Sequence, residues 1–321
     1  MMYESAQQVL DAVGAVASAA GDELQVARPD AIPADLVDSL AETSAFGASP
    51  ETRGTARWAV RGLAAAAGIR PASIHDLYMA MGRGEVSGFT VPAMNIRAMA
   101  YVSARAAFRA ARRISAGAII FEIARSEIGY TEQRPHEYAA IILASALRER
   151  FRGPVFLQGD HVQVNAKKYA GPDRDKELAT LRGLIVEEIR AGFYNIDIDT
   201  STLVDLSKPT LEEQQRVNFE LAAEFTRHIR ANEPRGVVIS IGGEIGEVGG
   251  KNSDVHELRA FMDGYRASLA PATAGISKIS VQTGTAHGGF VGPDGKVRTD
   301  VKIDLDTLRE LSALARTEYG L

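Results

Sequence analysis

The sequence predicts an α/β protein of the (β/α)8 TIM-barrel type, lacking the last two βα units within this chain and preceded by a helical appendage. Three observations predict it. From Gly88 onward, short β-rich apolar runs alternate with helical stretches without exception. The first of these runs, Phe89-Thr90-Val91-Pro92-Ala93, holds no glycine-rich phosphate loop, which favours a barrel over an open nucleotide-binding sheet. Two runs then end in reactive side chains: Gly153-Pro154-Val155-Phe156-Leu157 leads into Gln158-Gly159-Asp160-His161, and 276–281 leads into Gln282-Thr283-Gly284-Thr285-Ala286-His287-Gly288-Gly289. In parallel α/β proteins the chemistry sits at such strand ends.

Taken in order, residues 1–72 form the expected appendage. They are Ala-rich, and helical stretches over 6–20, 34–43 and 52–68 are separated by Pro29, Pro33 and Pro50, which lack the N–H that a helix needs. The barrel is expected over 73–321. Ser73 is placed to cap a helix through Met81, with Asp76 as the reciprocal partner of a capping box. Strands are expected at 89–95, 118–124, 153–157, 194–199, 237–241 and 276–281. Helices are expected at 98–111, 135–151, 175–191, 211–232, 253–267 and 306–319. Six strands where a closed barrel has eight imply an incomplete barrel, so the chain is expected to be a fragment of a longer protein or to be completed by a further polypeptide. Unpaired edges on the first and sixth strands also favour a homo-oligomer, most simply a dimer.

Composition narrows the function. A net charge of −5 and a pI near 5.8, with the basic residues scattered, give no electrostatic footprint for nucleic acid or an anionic membrane, so the expected partner is a small molecule. The absence of cysteine excludes disulfides, thiolate ligands and a thiol nucleophile, and leaves any metal to His, Asp or Glu. Met1-Met2-Tyr3-Glu4-Ser5 does not open a secretory signal, and no apolar run reaches bilayer length, so a soluble cytoplasmic protein is expected.

An Asp beside a His at a strand end can offer a proton-transfer carboxylate and a metal ligand to one substrate if the strand kinks, and Gly159 permits a kink. Alone, the dipeptide reads first as a turn Asp beside a surface His. The second lone histidine, His287, turns the reading toward a pair of ligands. Asp197 and Asp199 share a face by alternation, and if that face is interior one of them needs a cation or an Arg. Glu244 serves equally as a loop residue or a site residue. His75, His136, His228 and His256 lie on helices or their ends, where exposure is the default. No Lys stands at an apolar strand end as a Schiff-base candidate.

With these segments placed, the chain from about Ser73 onward resembles the class II, metal-dependent fructose-bisphosphate and tagatose-bisphosphate aldolases. Gly88-Phe89-Thr90-Val91-Pro92-Ala93-Met94-Asn95 resembles the family's first strand, Gly159-Asp160-His161 its Asp-His pair, and Ile198-Asp199-Thr200-Ser201 its Ile-Asp-x-Ser strand end. The stretch from Gly243-Glu244 to Gly249-Gly250 is similar to its Glu-Leu-Gly-x-x-Gly-Gly segment, and Gly284-Thr285-Ala286-His287-Gly288 to its Gly-x-x-His-Gly. The resemblance implies that His161 and His287 ligate a divalent metal, zinc first, with Glu244 and Asp199 lining an alternative metal position. It makes Asp160 the carboxylate that handles the substrate hydroxyl proton. It puts the Gly288 backbone on a substrate phosphate, and Asn95 and Ser201 against the substrate. The implied activity is cleavage or formation of a C–C bond in a phosphorylated ketose through a metal-stabilised enediolate.

The chain also departs from the family. Gly249-Gly250 is followed by Lys251-Asn252 where the family has acids, which leaves Asp254 or Glu247 to act as the loop acid. Ala124 stands where a Ser is usual, and the third histidine, in a His-Gly-Gly-Ser-Gly strand end, has no counterpart before Leu321. Two His ligands would leave the ion under-coordinated and weakly bound, since catalytic zinc sites generally use three protein ligands. The run from Gly159-Asp160-His161 to Asn165 also resembles the non-catalytic partner subunit of tagatose-bisphosphate aldolase. The alternative is therefore an aldolase-like barrel that stabilises or regulates a catalytic aldolase.

Overall fold

The computed structural model describes residues 2–21, 23–246, 251–283 and 303–321. In chain order the elements are α1 (Ala6–Gly14), β1 (Ser18–Ala20), β2 (Glu23–Gln25), α2 (Ala34–Phe46), α3 (Pro50–Ala66), β3 (Ile69–Ala72), α4 (His75–Gly82), β4 (Ala93–Asn95), α5 (Ala100–Arg113), β5 (Ile120–Ala124) and α6 (Arg125–Thr131). There follow α7 (Pro135–Arg148), β6 (Gly153–Gln163), α8 (Ala166–Ala170), α9 (Arg174–Ala191), β7 (Asn195–Asp199), α10 (Leu211–Asn232), β8 (Ser240–Glu244), α11 (Val255–Ser268), β9 (Lys278–Ser280) and α12 (Leu305–Leu314). No described helix is long and apolar enough to cross a membrane.

Local chemistry explains most boundaries. Ser49 accepts a hydrogen bond from Thr52 N with Pro50 in the first turn of α3, and Thr210 accepts from Glu213 N to start α10. Several expectations are corrected. The helix expected over 6–20 stops at Gly14, and Ser18 instead pairs antiparallel with Gln25 in a small hairpin. The cap position of α4 is Ile74, not Ser73, and Ile74 makes no side-chain cap bond. The first barrel strand shrinks to Ala93–Asn95, since Pro92 has no N–H for the ladder. An unforeseen helix, α6, follows β5 directly, and β8 lies three residues later than expected, so that Glu244 is its last residue.

The chain forms two compact units. The first contains Met1–Ser73, Gly88–Asp160 and Val186–Asn195. Here β4, β5 and β6 run parallel, with Asn95 opposite Glu122 and Glu122 opposite Gln158. The appendage is not purely helical, because β3 pairs parallel with the start of β6, Ile69 opposite Gly153 and Ala72 opposite Phe156. Helix α7 shows why residues 1–73 belong with this unit. Its run Tyr138 to Leu147 is buried on every side, and a helix with no polar face must be covered all round. Helices α2 and α3 both pack on it, and Arg57–Glu137 (2.9 Å) and Arg148–Asp38 (2.9 Å) tie the contact at its rim.

The second unit contains Ile74–Ser87, His161–Ile185 and Ile196–Leu321. Strand β8 lies between β7 and β9, with Gly242 opposite Lys278 and Glu244 opposite Ser280. Helices α10 and α11 pack together, burying Phe219, Phe225, Phe261 and Tyr265.

Asp254 closes the N-terminus of α11 in a capping box with Glu257, accepting from His256 N and Glu257 N. Burial pushes its carboxyl up, but hydrogen bonds from Lys251 and from the helix backbone outweigh this and hold it below its ordinary value. A carboxyl depressed in the folded state adds stability above its unfolded pKa of about 3.9 and loses it as the pH falls. Asp254→Ala is therefore expected to cost about 1 kcal/mol near neutral pH and much less near about pH 3. Urea denaturation at both pH values checks this, and an equal cost at both would contradict it.

Candidate active site

In the first unit, alternation along β6 puts Phe156, Gln158 and Asp160 on one face. Gln158 Nε2 donates to the buried Glu122 carboxylate. One layer further, opposite Ala124, Asp160 Oδ2 accepts from Asn95 Nδ2 at 2.8 Å. The same Asn95 nitrogen donates to Glu127 Oε2 at 3.1 Å. Glu127 also accepts from Ala124 N at 2.9 Å and pairs with Arg97 at 2.9 Å. Asn95 thus stands between two carboxylates, and α6 supplies the second of them.

On the opposite face of β6, a Cβ at Gly159 would lie 2.5 Å from Glu188 Oε2 of α9. Gly159 is therefore small because a carboxylate fills its side-chain space. It is not the kink, which falls at His161, where φ is +42°. A non-glycine residue in the left-handed region is uncommon and costs energy, and such strain gathers at functional sites. Strict alternation would turn His161 to the same side as Gly159, but the left-handed backbone breaks that alternation.

In the second unit, His161 Nδ1 consequently lies 3.0 Å from Asp199 Oδ2 and 3.5 Å from Glu244 Oε2. Asp199, 1% exposed, also accepts from Gln163 Nε2 (2.5 Å), Ser201 Oγ (2.6 Å) and Ser201 N (3.1 Å). Burial pushes its carboxyl up, but the contacts with His161, Ser201 and Gln163 prevail and leave it below its ordinary value. Ligand atoms of His161, Asp199 and Glu244 all lie within 4.8 Å of one another. One imidazole and two carboxylates at three strand ends are a donor set that suits a divalent cation. The two carboxylates that join His161 are the two that the sequence reading set at the alternative metal position.

Helix α10 holds this arrangement from behind, and sequence reading missed its part. Asn218 Nδ2 donates to Glu244 O (2.8 Å), Gln215 Nε2 to Ile245 O (3.0 Å) and Thr200 Oγ1 to Asn218 Oδ1 (2.6 Å). The signal was present: Gln215 and Asn218 sit at i and i+3 on the buried stripe that continues through Phe219 and Ala222.

The other expected residues have the following partners. Ser201 is bound to Asp199, and Asn95 to Asp160 and Glu127. Asp254 is engaged as a helix cap, and Asn252 Nδ2 donates to Asp304 Oδ2 at 2.7 Å. His287, Gly288, Glu247, Gly249 and Gly250 lie outside the described residues. Lys278, the first residue of β9, has its Nζ 2.7 Å from Asp197 Oδ1. His75, His136 and His228 are half-buried rather than exposed.

Parallel strands that alternate with helices and carry carboxylates and an imidazole at their ends define a TIM-barrel-like α/β protein. The family model for class II fructose-bisphosphate aldolase matches residues 79–319, and the chain belongs to that family. Among solved structures it is similar to a probable tagatose 6 phosphate kinase from Sinorhizobium meliloti 1021, with a TM-score of 0.51 and 21% identity over 72% of this chain and 56% of that one. At that identity the likeness concerns the fold, and this chain spans little more than half of that protein's length. No curated protein matches it.

Gly159→Ala is expected to lower stability by about 1–3 kcal/mol through overpacking against Glu188. In a Glu188→Ala background, the added cost should fall to roughly half or less. Thermal or urea unfolding of the four proteins measures the coupling, and identical costs in both backgrounds would rule out the Glu188 contact as the cause.

Proposed function

We propose that this chain is a divalent-metal-dependent aldolase that cleaves or forms a C–C bond in a phosphorylated ketose of the fructose- or tagatose-bisphosphate type. The observation that carries the reading is the convergence of His161, Asp199 and Glu244, with Asp160 adjoining His161 in the chain. These three side chains would hold the cation, with His287 as the further ligand that the family resemblance implies. When bound, the ion supplies Lewis-acid stabilisation of negative charge on substrate oxygens.

The chain's own groups do the rest. Asp160 takes the proton of the hydroxyl whose carbon becomes the aldehyde, a step that needs an ionised carboxylate. Asn95 donates to Asp160 Oδ2, which fixes the direction of that carboxylate. Gln163 and Ser201 orient Asp199 in the same manner. Ser201 and the Gly288 backbone are the proposed contacts for the sugar phosphate. We place the enzyme in the cytoplasm, working on carbohydrate as a homo-oligomer or with a polypeptide that completes the barrel.

One observation favours the second reading, a non-catalytic subunit that supports an aldolase. Asp254, the first acid after Gly249-Gly250, is committed to capping α11 and to Lys251, which also pairs with Glu257 at 2.9 Å.

The test is metal analysis together with aldehyde release from ketose bisphosphates after addition of zinc, cobalt or manganese. Asp160→Asn is expected to keep the metal and lower turnover about 100-fold or more, whereas His161→Ala and Asp199→Ala should lose the metal. Metal binding without turnover on any sugar phosphate would support the second reading. Turnover near wild type in Asp160→Asn would remove that carboxylate from the mechanism.

A further inference from the structure

Beneath the proposed ligands of the second unit lies a cation that belongs to the chain itself. Asp197 and Asp199 are two residues apart on β7, Gly242 and Glu244 on β8, and Lys278 and Ser280 on β9, with Gly242 opposite Lys278 and Glu244 opposite Ser280. Two residues of strand rise about 6.6 Å. Lys278 and Asp197 therefore occupy the layer directly below that of Asp199 and Glu244.

The pair is built into the strands. Lys278 Nζ is 2.7 Å from Asp197 Oδ1, a charge contact whose angles are not those of a hydrogen bond. Lys278 is 21% exposed and Asp197 28%, so water screens the pair only in part. The Tyr78 ring, with its centroid 5.7 Å from Nζ, offers a π face to the same ammonium. Gly242 makes the room: a Cβ there would collide with Asp197 Oδ1 and lie 3.0 Å from Lys278 Cε.

We propose that Lys278 is a tethered cation that claims Asp197 and so limits this interior to one divalent ion, held by His161, Asp199 and Glu244. The inference rests on reading those three residues as the metal ligands. Its ground is charge balance. Asp197, Asp199 and Glu244 bring three negative charges, and one divalent ion with one ammonium balances them while His161 stays a neutral ligand. An ammonium is a compact charge with no coordination geometry to satisfy, and its stem fixes it to β9. It therefore neutralises Asp197 at every metal concentration, which a free ion cannot do. Without it, the Asp197 carboxylate would remain uncompensated and within reach of a second ion.

The experiment is titration of the metal-stripped protein with Mn2+ and Zn2+ by calorimetry, with metal content per chain measured after gel filtration. Wild type is expected to bind one ion. Lys278→Met, which keeps an apolar stem and removes the charge, is expected to bind a second ion and to hold the first at least tenfold more tightly. Lys278→Arg should behave as wild type, and Lys278→Met with Asp197→Asn should return to one ion. Asp197→Asn alone, which leaves the ammonium uncompensated, should weaken the first ion at least tenfold, and it provides a test if Lys278→Met does not fold. A folded Lys278→Met protein with one ion and unchanged affinity overturns the proposal, as does unchanged affinity in Asp197→Asn. Wild type that binds no ion overturns the ligand assignment itself, a result seen in the wild-type titration alone.

Discussion

The Asp199 carboxylate cannot be left in the interior without partners, and much of the second unit follows from that constraint. Removing an ionised carboxylate from water costs several kcal/mol unless other groups replace the lost hydration. At 1% exposure, Asp199 depends on His161, Gln163 and Ser201. Each partner dictates local backbone. Ser201 reaches back two residues because the chain turns at once into a short 3-10 segment, Ser201–Leu203. Gln163 is within reach because β6 continues past the Asp-His pair, with Val164 N bonded to Asp199 O at 3.0 Å. His161 is within reach because its φ is positive. The strained histidine, the long strand and the tight turn are three consequences of one buried charge.

How much of this was legible depends on whether the cause was local. Helix α10 was readable at both ends, because Thr210 is a local cap and its apolar stripe has a clear period. Asp160 and His161 were readable as a pair at a strand end. Strand β3 was not: Ile69-Arg70-Pro71-Ala72 contains a proline and becomes a strand only because β6 supplies its ladder. The kink was assigned to Gly159 because glycine is the usual permissive residue, whereas the actual reason for that glycine is Glu188, twenty-nine residues away. Lys278 was passed over because a charge inside the run 276–281 looks solvent-facing until Asp197 is seen opposite. Two signals were readable and went unused: the absence of a polar face on α7, and the amides on the buried stripe of α10.

Those amides explain why the geometry of the proposed ligands need not rely on loops. Carbonyl groups at the end of β8 take their donors from helix α10. Asn218 and Gln215 supply donors to Glu244 O and Ile245 O, and Asn218 Oδ1 accepts from Thr200, the residue after β7. One helix thus fixes the spacing of Asp199 and Glu244 through groups that are themselves fully buried. Sites carried on helices and strands are held more closely than sites carried on loops.

Support for the two consecutive residues of β6 is divided. Asp160 is set by Asn95 and Glu127 in the first unit, and His161 by Asp199 and Glu244 in the second. A single peptide bond joins a carboxylate whose direction depends on an amide to an imidazole whose direction depends on a buried charge. The groups proposed for proton transfer and for ion holding therefore have separate supports. Damage to the Asn95 support should leave the proposed cation ligands in place, and damage at Asp199 should leave Asp160 bonded to Asn95. If the residues act as proposed, this separation lets either function be lost while the fold persists, and an aldolase and a non-catalytic relative can then share one set of strands.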